Sequence, residues 1–318
     1  MRVIIVGYGE MASSLLLGCI ESGHDVVGIL RHDRITMNPI KRFFKDVFNP
    51  EEFFVLARKY GIFEIKAKSV NSDKFFKTAL KLQPDIILVG SWSEKLQKRV
   101  FNMPRMACIN AHPSLLPKYR GPNPYVETIR HGEKKTGVSF HLVIEKLDRG
   151  AILMQQPVDI SYHDTGGSLR AKCVYTARKM IAELFAGLSE GTTVLLSQNE
   201  ASATYFPQVT LEDAIINWNE EAEIIYNQIR AFNPWQHCFF VHKNKFLKVN
   251  SAKVVDIDDD FSPGVVIEQK WGNILVSTGQ NKKGILLEKP KVFGFWGFFF
   301  GKNYILNKIK AGDILGKF

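Results

Sequence analysis

Residues 2–23 read RVIIVGYGEMASSLLLGCIESG. Val3 to Val6 form an unbroken apolar run, the pattern of a parallel strand buried on both faces. Gly7 and Gly9 mark a tight turn. Leu15, Leu16, Cys19 and Ile20 then recur at helical spacing, and Gly23 suits a helix C-terminus. Strand, glycine turn and helix make the first unit of a doubly wound α/β domain. HDVVGIL (24–30), PDIILVGS (84–91) and MACINAH (106–112) read as further strands. NPEEFFVLARKYGI and SDKFFKTALKLQP read as helices between them, and this alternation predicts a Rossmann-like, mostly parallel sheet. Gly7-x-Gly9-x-x-Ala12 also fits a dinucleotide fingerprint. No acidic residue closes the second strand, where Arg31 and His32 stand instead, so the glycines also read as a bare turn.

Beyond residue 135 the pattern changes. TGVSFHLVI and GAILMQQPVDI read as strands around the turn EKLDRG, and residues 168–188 as a helix. SQNEASATYFPQVT (197–210) has loop composition. Residues 220–232 read as a helix, followed by short strands between Gly and Asn turns. The expected organisation is a catalytic domain over 1–196, a linker over 197–210, and a smaller β-barrel (OB-like) domain over 211–318.

The 318 residues are 45% hydrophobic and 23% charged, with a formal net charge of +10. This is the composition of a globular protein with a sizeable core. The charge favours an anionic partner such as a nucleic acid or nucleotide. Cys19, Cys108, Cys173 and Cys238 are dispersed, so neither a disulfide framework nor a metal site is expected, and a reducing cytoplasm is the simplest location. No run reaches the roughly 18 apolar residues of a membrane helix; VFGFWGFFFG (292–301) is ten residues long and broken by glycines. A single copy is the simplest state.

The candidate chemistry lies in INAHPSLLPKYRG (109–121). Ligands of open α/β sheets bind at the carboxyl ends of the strands, where Asn110 and His112 fall. An amide N–H can hold a developing oxyanion. A histidine can move a proton near neutral pH. Asp148, in the turn KLDRG, could fold back to raise the histidine pKa and orient its ring.

NAHPSLLPKYRG, followed about thirty residues on by LDRGAIL, resembles the core of the 10-formyltetrahydrofolate-dependent formyltransferases. TGVSFHL, DTGGSL (164–169), ATYFPQVTLEDAIINW (203–218) and IRAFNPW (229–235) are similar to the methionyl-tRNA formyltransferase branch. The resemblance spans roughly residues 1–290. It implies that 10-formyltetrahydrofolate donates a formyl group to a primary amine. In that reading Asn110 holds the formyl oxygen, His112 shuttles a proton, and Asp148 raises the His112 pKa. It also implies folate contacts from Glu94, Lys95 and Leu96, from Ile144, Glu145, Lys146 and Leu147, and from the turn Ser114, Leu115, Leu116, Pro117.

The implied acceptor is the methionyl amine of initiator tRNA. Arg34, Arg42 and Lys45, after strand two, and Tyr125 would border it. Phe43 and Phe44 could stack a base, although the reading as helix core is preferred. Residues 270–318 carry nine Lys against one Glu and one Asp, which fits contacts to an RNA backbone. Pro122-Asn123-Pro124-Tyr125 departs from the Ala-Ala-Pro-Ile usual in that branch. An amino sugar linked to a nucleotide therefore stays open as acceptor. A non-catalytic RNA-binding module is disfavoured, because it has no need of Asn110, His112 and Asp148 together.

Overall fold

The computed structural model describes residues 1–235, 237–292 and 308–316, leaving out the side chains of Arg34 and Ile35. The Phe-rich stretch singled out above lies almost wholly outside the described residues. In chain order the elements are β1 (Arg2–Gly7), α1 (Gly9–Glu21), β2 (Asp25–Arg31), α2 (Asp33–Thr36), α3 (Pro39–Phe48), α4 (Glu52–Lys59), α5 (Asp73–Leu82), β3 (Ile86–Gly90), α6 (Lys98–Phe101), β4 (Ala107–His112), α7 (Pro124–Arg130), β5 (Lys135–Leu142), β6 (Ile152–Asp159), α8 (Gly166–Glu190) and α9 (Ala222–Phe232). Seven short strands follow: β7 (Cys238–His242), β8 (Lys245–Val249), β9 (Ala252–Asp256), β10 (Val266–Lys270), β11 (Asn273–Ser277), β12 (Lys283–Leu287) and β13 (Lys291–Val292).

Two compact units result. The first comprises residues 1–124, 135–159 and 170–206; the second comprises 125–134, 160–169 and 207–318. The first holds a six-stranded sheet in the order β2-β1-β3-β4-β5-β6. The pairs β1–β2, β1–β3 and β3–β4 are parallel, whereas β4–β5 and β5–β6 are antiparallel. Val3 to Val6 are fully buried, as their unbroken apolar run requires. Gly7 pairs with Gly90, and a Cβ on Gly7 would lie 2.2 Å from the Gly90 carbonyl oxygen, so the strand ends approach this closely only with glycine at position 7. Ser72 caps α5 by accepting from the Phe75 N–H. The second unit holds antiparallel sheets of four strands (β10-β11-β12-β9) and three strands (β13-β8-β7), as the turn-punctuated sequence implies.

Two local features differ from the sequence reading. The stretch after β2 is helical, but α3 buries none of its residues, so it is not the core helix expected. Phe43 and Phe44 are 64% and 55% exposed, so they are not core. Helical periodicity puts Ile40, Phe43, Phe44, Val47 and Phe48 on one face, and among the described residues no other element covers that face. The segment over 197–210 is also more tied down than its composition suggests. Residues up to Phe206 belong to the first unit, and Tyr205 bridges to Arg120.

Candidate active site

Strand alternation builds the site. Asn110 and His112 are two residues apart on β4 and therefore share a face of the sheet. On the antiparallel neighbour β5, His141 stands opposite Asn110, and Ser139 opposite His112. The imidazole of His141 thus joins the two expected side chains. Its Nδ1–H donates to the Leu142 carbonyl (3.0 Å), leaving Nε2 to accept from Asn110 Nδ2 at 3.1 Å. Sequence reasoning missed His141. Its signal was the histidine in TGVSFHL, but placing it beside Asn110 required the β4–β5 register.

His112 is 4% exposed. Its Nε2–H donates to the Tyr119 carbonyl at 2.9 Å, because a carbonyl can only accept. The Nδ1 lone pair therefore faces Asp148 Oδ1, 3.7 Å away. Burial pushes this imidazole below its ordinary range. Asp148 and the Tyr119 hydrogen bond pull it upward, and His141 and Arg120 push it further down. The expected upward pull of Asp148 is thus present, but desolvation outweighs it.

Asp148 sits in a left-handed backbone conformation, φ 54°. Its Oδ1 lies 3.6 Å from His141 Nε2, and its Oδ2 accepts from the Gly121 N–H at 3.0 Å. Burial raises its pKa. The two histidines and the Gly121 N–H outweigh that and hold it well below the usual carboxylate range.

A cleft opens beside these groups. Trp92, Glu94, Lys95, Leu96, Val143, Ile144, Lys146 and Leu147 line it together with Asn110, His141 and Asp148. The segments 94–96 and 144–148 therefore meet at one place, with Glu145 outside the lining. The turn Ser114 to Pro117 is not part of this wall. Ser139 Oγ donates to the Ser114 carbonyl and accepts from Leu116 N–H, and Gln155 donates to the Leu116 carbonyl, which fastens the turn onto β5 and β6.

The other expected residues lie elsewhere. Lys45 Nζ is 2.6 Å from Asp33 and 4.0 Å from Glu51. Arg42 stands on α3, and the side chain of Arg34 lies outside the described residues. Tyr125 belongs to the second unit, its ring 6.1 Å from that of Trp235. At the glycine turn, the Gly9 N–H donates to Glu51. At the end of β2, buried Arg31 makes two hydrogen bonds to Asp46, each 2.9 Å, and one to Glu64 of 2.7 Å. A guanidinium already satisfied by carboxylates stands where a dinucleotide site needs an acid. Among the described residues no group of three or more His, Cys, Asp or Glu is placed to hold a metal ion, and no helix is long and apolar enough to cross a membrane.

Comparison with known proteins identifies the family. The family model described as formyl transferase matches residues 1–184, and that of the formyl transferase C-terminal domain matches residues 208–290. The methionyl-tRNA formyltransferase of Bacillus subtilis is 30% identical over 316 residues, covering 99% of this chain and 98% of its own. That of Thermotoga neapolitana is 31% identical over 301 residues, covering 93% and 94%. Two solved structures share the fold. An N-formyltransferase from Helicobacter canadensis, in complex with folinic acid and dTDP-3-aminofucose, aligns at a TM-score of 0.68 and 18% identity over 92% of this chain and 100% of its own. A methionyl-tRNA formyltransferase from Clostridium thermocellum aligns at 0.52 and 18% identity over 91% and 99%. With family models matched on both sides of residue 200, and an amide, two imidazoles and a carboxylate gathered at the end of β4, the chain belongs to the formyl transferase family.

Proposed function

We propose that this enzyme transfers the formyl group of 10-formyltetrahydrofolate to the methionyl amine of initiator tRNA. The observation that carries the acceptor is the near-complete, two-way coverage by relatives named methionyl-tRNA formyltransferase. The cleft suits a flat heteroaromatic donor. Its walls include Leu96, Val143, Ile144 and Leu147, and the buried Trp92 Nε1–H has no partner among the described residues.

The chain's own groups divide the work. His141 takes one N–H of the Asn110 amide and so orients it. The second N–H of that amide is then available to the formyl oxygen as negative charge develops there. The attacking amine forms the new C–N bond and must lose a proton. His112 is neutral at pH 7 because burial disfavours its charged form, and it takes that proton at Nδ1. Asp148 faces the same atom and stabilises the imidazolium. The proton then passes to the departing N10 as the old C–N bond breaks.

An acceptor screen tests the reading. With 10-formyltetrahydrofolate as donor, charged initiator tRNA should be formylated and nucleotide-linked amino sugars should not. Formylation of the sugars alone would overturn the assignment of the acceptor.

Two further outcomes are expected. Asp148→Asn removes the group that pulls the His112 pKa up, so the acidic limb of the kcat/KM profile should move to lower pH. An unmoved limb would assign the role to another carboxylate. For the acceptor, log K should fall linearly with log salt, by about 0.9 per neutralised phosphate on duplex and about 0.7 on single strands. Replacing Arg42 and Lys45 by Ala should lower that slope by about one to two units. The smaller value is favoured by the existing Lys45–Asp33 pair. A slope near zero for the unmodified protein would argue against a polynucleotide acceptor.

A further inference from the structure

The segment that reads as a linker is hydrogen-bonded to both halves of the catalytic arrangement. Gln198 Nε2 donates to the Asp148 carbonyl and to the Gly150 carbonyl, each at 2.8 Å. From behind, its Oε1 accepts from Arg120 Nε (3.1 Å) and Nη2 (2.7 Å). Arg120 is 3% exposed and is held in turn by both oxygens of Glu200, at 2.7 and 3.0 Å. Six residues on, Thr204 takes the Arg120 N–H on its carbonyl and the Tyr119 N–H on its hydroxyl, while Phe206 N–H donates back to the Arg120 carbonyl. Tyr119 supplies the carbonyl that fixes the His112 ring. One segment therefore fastens the backbone behind Asp148 and the backbone behind His112.

We propose that Gln198 is a positioning residue for formyl transfer: it fixes the Asp148 turn so that the carboxylate stays against His112 and His141. The inference rests on the assignment of those three side chains made above. Its physical basis is that Asp148 occupies a backbone region that residues other than glycine seldom adopt. Such a conformation persists where its surroundings hold it. A primary amide suits the task, because its nitrogen offers two donors to the two carbonyls while its oxygen accepts from the guanidinium.

The test is Gln198→Met in the full-length chain. The side chain keeps its approximate length and neutrality but loses its two donors and its strong acceptor. The charged and titratable groups acting on His112 are Asp148, His141 and Arg120, and those acting on Asp148 are the two histidines. None changes charge in this variant, so a displaced profile reports a displaced turn. We expect kcat to fall about ten- to hundredfold, the scale of a misplacement of about 1 Å. The acidic limb should move to lower pH, while KM for the acceptor and the melting temperature stay near their original values. Gln198→Glu keeps an acceptor for Arg120 and removes both donors, and it should lose kcat similarly; it serves if the Met variant folds poorly. Wild-type kcat and profile in a folded variant, or a kcat loss matched by the loss of folded protein, overturns the proposal. His112→Ala, assayed in parallel, separates the two levels. If it is inactive while Gln198→Met is normal, only the role of Gln198 fails. If His112→Ala is active, the underlying assignment fails.

Discussion

The His112→Ala variant should turn over at least about 10²-fold more slowly than the unmodified enzyme, because the proton released by the attacking amine loses its acceptor. Asn110→Ala should lose a similar factor through the missing oxyanion donor. The affinity of the folate donor should change little in His112→Ala, since His112 is not among the residues that line the cleft. Single-turnover formylation at saturating acceptor, with donor binding measured by fluorescence, separates the two quantities. Retained turnover with either variant would remove that side chain from the chemistry.

Gly150→Ala should be nearly as damaging, although residue 150 carries no reactive group. A Cβ there would lie 1.8 Å from the Leu142 carbonyl oxygen and 2.7 Å from its carbon. These are backbone atoms of β5, beside a main-chain hydrogen bond from Leu142 N–H to the Ala151 carbonyl. Neither can step aside, so the 148–150 turn must shift and carry the Asp148 carboxylate with it. The expected result is a kcat loss of about 10²-fold, of the size that small misplacements produce. Gly316→Ala is the control, because among the described residues nothing lies within 4 Å of its Cβ position and its φ is not positive. Normal kcat in Gly150→Ala would mean that the turn tolerates displacement.

The parallel half of the sheet was readable because its information is local. Val3 to Val6 carry their burial in four consecutive letters, and Gly7 and Gly9 mark the turn that follows. Asn110 and His112 were readable for the same reason, since two residues on one strand share a face without further knowledge. His141 and Gln198 were not. His141 reaches the site through strand pairing with residues about thirty positions away, and Gln198 through contacts fifty and seventy-eight positions away. Neither distance leaves a periodicity in the sequence. The phenylalanines of α3 misled for a different reason. Their spacing encodes an amphipathic helix but says nothing about whether another element covers the apolar face.

The pairing of the Gly9 N–H with Glu51 bears on which ligands the glycine turn can take up. An anion of the chain itself occupies the head of α1, where related scaffolds take up a pyrophosphate. The abundant nicotinamide and adenine dinucleotides of a cell then meet a position that is already neutralised. Nicotinamide dinucleotide added at fixed donor and acceptor should therefore leave the rate of formyl transfer unchanged.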